Sequence, residues 1–184
     1  FSFFLANCTN LAEPSIVDLD TSSAINFTFA IHANPLFNYD LFVTVNWTTP
    51  NMEQCSAMFN GCTNFDQDVS PMNITSMIGS FNNFLTGTAL STKNYNKLLI
   101  SWQGQVGHPV GKTLEVGSAT YSGADAAEAR FNLINTSSWT ITDGGSILGF
   151  TFDVKTDNTG TSLSTEFTAP IHSLATVDCF VEWK

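Results

Sequence analysis

Residues 24–31, 52–59 and 74–81 (AINFTFAI, MEQCSAMF and ITSMIGSF) align without gaps. A chain that repeats itself at such intervals is confined to architectures in which like units stack. Phe27, Cys55 and Met77 share the fourth position of the alignment, and Ile31, Phe59 and Phe81 the eighth. The opening FSFFL supplies the end of a further copy, so the closing positions are Leu5, Ile31, Phe59 and Phe81. The segments that follow also correspond. LFNYDL (36–41) matches NFDQDV (64–69), with Phe37 on Phe65 and Asp40 on Asp68. SFFLANCTNL (2–11) recurs as SAMFNGCTNF (56–65), with Cys8 echoed by Cys62.

Units of roughly 25 residues cannot bury an apolar stripe alone, and they do so by stacking. The expected fold class is α+β: a short leucine-rich-repeat-like solenoid over residues 1–145, with a narrow parallel sheet and a helical cap. Each unit reads as a short helical turn, a loop, a short strand and a turn. The expected columns are Phe27/Cys55/Met77, Leu5/Ile31/Phe59/Phe81 and Leu11/Phe37/Phe65. The sheet is expected at Leu41 and Val69, with strands about 4.8 Å apart. LSTKNYNKLLISW (90–102) predicts an amphipathic helix that closes the array, N-capped by Ser91 or Thr92, with Tyr95, Leu98, Leu99 and Trp102 on its apolar face. GKTLEVGSATY (111–121) and SWTITDGG (138–145) predict strands ending in turns. GADAAEARFNLI (123–134) predicts a helix with Ala127, Phe131 and Ile134 on one face. From residue 146 to 184 the pattern becomes short alternating strands (149–156, 165–170, 176–184), read as antiparallel and Ig-like. They are too few to close a sandwich, which takes about seven.

Composition narrows the function. Charged residues are 12% and hydrophobic residues 43%, 16 of them Phe, so the surface is polar chiefly through hydroxyls and amides. With a net charge of −10 and six scattered Lys and Arg, no basic patch exists to neutralise phosphates, which excludes ordinary nucleic-acid binding and disfavours anionic membrane surfaces. No apolar run approaches the length of about 18 residues that a spanning helix needs, so no membrane insertion is expected. The opening on Phe1 rather than Met reads as a processed chain or a segment of something longer.

Several stretches resemble the BspA-type surface proteins, a leucine-rich-repeat-like family of secreted proteins whose repeat reads V-T-x-M-x-x-M-F-x-x-[AC]-x-x-F-N-x-D-[LI]-S-x-W. Ile74-Thr75-Ser76-Met77, Met58-Phe59-Asn60-Gly61-Cys62, Phe37-Asn38-Tyr39-Asp40-Leu41 and Trp47 fit its slots. TALSTKNYNKLLISW and TLEVGSATYSGADAAEARFNLINTSSWTITDGG resemble the family's terminal segment, and KTDNTGTS with the closing VEWK resembles the start of the PKD/Ig-like β domain that adjoins such arrays. The resemblance implies a surface or secreted location and a role in adhesion and protein–protein contact. It brings no catalytic residues.

The residues themselves offer little chemistry. No G-x-S-x-G, H-E-x-x-H or phosphate loop occurs, so no catalytic residue, metal or cofactor is expected. His32, His108 and His172 lack partners at ligand spacing. Asp66, Asp68, Asp143, Asp153 and Asp157 are the calcium alternatives, without an EF-hand pattern. The sequons at Asn7, Asn26, Asn46, Asn73 and Asn135 suit a secreted glycoprotein, although this composition yields about four by chance. An even count of cysteines (Cys8, Cys55, Cys62 and Cys179) favours disulfides. Cys8 and Cys62, two units apart, would be separated by about 10 Å, beyond the reach of about 7 Å. Cys55–Cys62 is the expected pair if the helical turn ends before Gly61, and four column-filling thiols are the alternative. Trp47, Trp102 and Trp139 are candidates for stacking on sugars, with core packing the competing role.

The function expected is an extracellular structural or adhesive surface protein. It is read as a fibre subunit joined to other copies of itself by β-strand complementation, with FSFF or ATVDCFVEWK as donor. The alternative is a glycan- or protein-binding module of a larger adhesin that contacts host or cell-surface partners.

Overall fold

A computed structural model describes residues 1–10 and 19–147. Phe1–Ile147 forms one compact unit, separate from the residues that follow it. The Ig-like strands expected from residue 149 onward, with Cys179, His172, Asp153 and Asp157, lie outside the described residues, as does Leu11 of the third expected column.

Within the first unit the architecture is mixed α and β. Two helices, α1 (Thr92–Gly104) and α2 (Ala124–Asn135), alternate with two short strands, β1 (Thr113–Glu115) and β2 (Thr140–Thr142). The strands pair in parallel, Thr113 with Thr140 and Glu115 with Thr142. A parallel pair requires a crossover, and α2 supplies it.

The repeated segments before α1 pair by a different pattern. Phe3, Leu5 and Asn7 donate their N–H groups to the carbonyls of Thr28, Ala30 and His32. Phe27, Phe29, Ile31 and Ala33 donate in turn to Gln54, Ser56, Met58 and Asn60, and Ala57, Phe59 and Gly61 to Asn82, Phe84 and Thr86. The intervening N–H groups turn back locally, as in Ala30 to Phe27, Met58 to Cys55 and Phe84 to Phe81. These bonds set the register. Leu5, Ile31, Phe59 and Leu85 are equivalent, at intervals of 26, 28 and 26 along the chain. The expected fourth member, Phe81, is therefore four positions early. It belongs with Phe1, Phe27 and Cys55, and Met77 drops out of that column. The gapless match of ITSMIGSF followed apolar residues that precede the true unit.

Two further expectations are corrected. The segments are not helical turns, because each carries left-handed residues that a right-handed helix excludes: Phe3, Phe29, Ala57 and Asn83 at φ between 51° and 57°, then Asn7, Ala33, Gly61 and Gly87 at φ between 55° and 75°. Leu41 and Val69 are buried but form no strand, because their carbonyls accept from Trp47 and Met72 in local turns rather than from a neighbouring strand.

Side chains fill the interior in layers. Phe37 stacks on Phe65 with ring centroids 6.1 Å apart, and Phe65 on Phe59 at 4.3 Å. α1 buries Tyr95, Leu98, Leu99 and Trp102, the expected face, with Ser91 as N-cap accepting from the Asn94 N–H. α2 buries Ala126, Ala129 and Leu133 instead of Ala127, Phe131 and Ile134, leaving Phe131 62% exposed. Small residues let α2 approach α1 closely, which the larger Phe131 would prevent.

Candidate interaction surface

The first repeated segment differs from its successors in one respect. In segments 27–33 and 57–61 the N–H groups at alternate residues face the following segment, while the even-numbered carbonyls of residues 28–32 and 54–60 are taken by the preceding one. In residues 1–7 the N–H groups of Phe3, Leu5 and Asn7 are used in the same way. The equivalent carbonyls of Ser2, Phe4 and Ala6 accept no backbone N–H among the described residues. Only the Cys8 thiol approaches, 3.9 Å from the Ala6 oxygen.

Aromatic rings surround this row. Phe1 stacks on Phe27 at 5.5 Å and Phe3 on Phe29 at 4.9 Å, so each ring has one face covered. Phe3 is 60% exposed and Phe4 43%.

Cys8 belongs to a column visible only in the corrected register: Cys8, Asn34, Cys62 and Thr88, again spaced 26, 28 and 26. Asn34 donates to the carbonyls of Leu5 in the preceding segment and of Ile31 in its own. Cys62 donates to Ile31 of the preceding segment at 3.1 Å, and Thr88 to Leu85. The column thus satisfies carbonyls at the corner of each unit. Asn34 went unnoticed in the sequence because its amide shares no chemistry with a thiol, although the spacing marks it.

The expected Cys55–Cys62 disulfide is replaced by two free buried thiols. The Cys62 sulfur is held toward Ile31, and the left-handed Ala57 between the two cysteines carries the chain around a turn. Burial pushes the Cys62 thiol up to about 11 and that of Cys55 higher still, so both stay protonated at neutral pH. Cys8 is exposed.

Sugar stacking by the tryptophans is also corrected. Trp47, Trp102 and Trp139 are all at or below 3% exposure, and Trp102 packs 4.7 Å from Phe81. The Trp139 indole N–H donates to Pro109.

The sequons are scattered. Asn7, Asn46 and Asn135 are exposed, whereas Asn26 and Asn73 are half-buried with their Oδ1 atoms accepting from Thr28 and Thr75 two positions on. Asn46 and Asn73 line one open groove of about 450 Å³ with Trp47 and Pro71.

The calcium alternatives among the described residues are occupied by donors of the chain. Asp66 accepts from Ser91 and Asn94. Asp68 takes Lys97 at 2.7 Å; burial opposes its ionisation, but Lys97 and Ser70 outweigh burial and hold the carboxyl below its ordinary range. Asp143 pairs with Arg130 through two oxygens and accepts from Tyr95 at 2.6 Å. His108 spans Gln105 and Ser137, at 3.0 and 2.8 Å, and the His32 ring stands edge-on to Phe29. No helix of the described residues is long and apolar enough to cross a membrane.

A family model described as "Mycoplasma protein of unknown function, DUF285" matches residues 1–102. No curated protein and no solved structure matches the chain.

Proposed function

Because the chain belongs to the DUF285 family, whose description assigns no function, we propose from its own geometry that it is a non-catalytic, extracellular structural or adhesive surface protein. The observation that carries this reading is the stack of repeated segments, in which residues 3–7, 27–33 and 57–61 each hydrogen-bond the next segment through alternate N–H groups and leave no side-chain cluster with metal-ligand chemistry among the described residues. The framework is a leucine-rich-repeat-like solenoid, supported by the 26, 28 and 26 spacing of hydrogen-bonded equivalents. The alternating sequence of residues 146–184 supports their reading as part of an Ig/PKD-like β domain. Fibre formation by copies of the chain is the self-assembling form of this role, and occupied sequons would make the protein a glycoprotein.

Burial of Trp47, Trp102 and Trp139 removes the support for a glycan-stacking module. Beads coated with the protein are expected to hold to cultured cells, or the protein alone to form filaments in electron micrographs. No retention, with no filaments in electron micrographs, removes adhesion itself.

A further inference from the structure

The five sequons look alike in sequence, and their hydrogen bonds set one of them apart. In N-linked glycosylation the asparagine Nδ2 carries the sugar, and the hydroxyl residue two positions on completes the acceptor. At Asn26 the Nδ2 donates to Gln54 Oε1 in the next segment, and at Asn135 it donates to the Phe131 carbonyl. Ser137, the hydroxyl residue of the Asn135 sequon, is buried and engaged with His108. A sugar at either asparagine therefore displaces a bond of the folded chain. In the Asn46 sequon the Thr48 N–H goes to Thr21 Oγ1 at 3.0 Å rather than to the asparagine.

At Asn73 the bonds fall on the other amide atom. Oδ1 accepts from the Thr75 N–H at 2.9 Å and from the Thr75 hydroxyl at 2.7 Å. A backbone N–H only donates, so this contact fixes which amide atom is the oxygen, and the turn does not use Nδ2. The turn is held to the preceding coil. The Asn73 N–H donates to Thr49 Oγ1 at 2.7 Å, the Thr49 hydroxyl returns to the Asn73 carbonyl at 3.1 Å, and Ser76 donates to the Pro50 carbonyl. Ile74 is fully buried and Thr75 exposed, so the sequon lies along the surface with its hydroxyl residue outward. Asn73 also lines the open groove of about 450 Å³, a volume in the range of small-ligand clefts, together with the exposed Pro50 and Pro71. Among the described residues no charged side chain lines this groove, which suits a neutral sugar with an apolar face.

Resting on the reading of the chain as an extracellular surface protein, we propose that Asn73 is an N-glycan acceptor whose first sugar, an N-acetylhexosamine, occupies this groove against Pro50 and Pro71. The donor is a lipid-linked oligosaccharide pyrophosphate. Nδ2 bonds to the anomeric carbon as the bond from that carbon to the pyrophosphate oxygen breaks. Nδ2 gives up one proton, and the lipid pyrophosphate leaves. The product amide keeps its oxygen, so both Thr75 bonds survive the transfer.

The full chain is sent through the secretory pathway of a eukaryotic cell, and the folded product is peptide-mapped after enzymatic deglycosylation in heavy-oxygen water. Asn73 is expected to be occupied in most molecules, and Asn26 and Asn135 to be bare. Thr75→Val is expected to abolish occupancy at Asn73, and Thr75→Ser, which keeps a hydroxyl, to retain it. In a second measurement, nuclear Overhauser cross-peaks are expected between protons of the first sugar on Asn73 and the rings of Pro50 and Pro71. A bare Asn73 on the folded, secreted chain overturns the proposal, and so does an occupied Asn73 without those cross-peaks. If Asn73 is bare while coated beads hold to cells, the acceptor falls and the surface reading stands. Occupancy with neither adhesion nor filaments gives the opposite division.

Discussion

Left-handed backbone costs a residue with a Cβ about 1–2 kcal/mol, and the chain accepts that cost at Phe3, Phe29, Ala57 and Asn83 in turn. The return is a turn that sends alternate N–H groups to the next segment while keeping Phe1, Phe27 and Phe81 in one apolar column. The second left-handed column holds Asn7, Ala33, Gly61 and Gly87, so glycine is used where the corner repeats but is not obligatory. Gly87, at φ +75°, would set a Cβ 3.6 Å from Gly61, an ordinary contact, so substitution acts through conformation rather than crowding. Gly87→Ala is expected to lower stability by about 1 kcal/mol, read as a lower urea midpoint at constant slope. Ala33→Gly, at φ 55°, is expected to leave the midpoint unchanged or raise it. These positions were hard to read beforehand. Phe, Ala and Asn carry no common mark of left-handed backbone, and the column becomes visible only once the 26, 28 and 26 register is known.

Elements were legible where one physical cause dominated. α1 has an apolar stripe of large residues and a hydroxyl cap, and both sequence signals agree with its burial. α2 does not, because its packing face is made of alanines and Leu133, while Phe131 points to solvent. Hydrophobicity marks the larger residue; close approach to α1 needs the smaller ones. What ties these elements together is Asp143, just after β2, whose side chain is 3% exposed and bonds Arg130 of α2 and Tyr95 of α1. Burial, reinforced by that carboxylate, pushes the Tyr95 phenol up and keeps it protonated as a donor. Asp143→Asn leaves Arg130 without its counter-charge and is expected to cost about 2 kcal/mol, less than a fully buried pair because Arg130 keeps 22% exposure. Thermal unfolding measures this, and Tyr95→Phe is expected to cost less, since it removes a neutral donor and no charge. Asp143 was visible in sequence only as an acidic residue before two glycines; its partners Arg130 and Tyr95 are distant in the chain.

At the scale of the molecule, segments 27–33 and 57–61 are hydrogen-bonded on both sides, whereas among the described residues the segment at 1–7 is bonded to a neighbour on one side. Local opening follows coverage. Amide hydrogen exchange is therefore expected to be slower by about tenfold or more at Phe29, Ile31 and Ala33 than at Phe3, Leu5 and Asn7, although the two sets make equivalent bonds. Equal protection would mean that the first segment opens only with the rest. Self-repetition was legible, since it survives in the order of residue types. The bonding direction was not, because backbone groups leave no trace in composition. That direction has an electrical meaning. Ten N–H groups in three successive interfaces point one way, and peptide dipoles so aligned add, as they do along an α-helix and do not across an ordinary sheet. The negative end of that alignment lies toward residues 1–7 and the positive end toward residues 82–86, where the Asn83 N–H meets the Glu115 carboxylate.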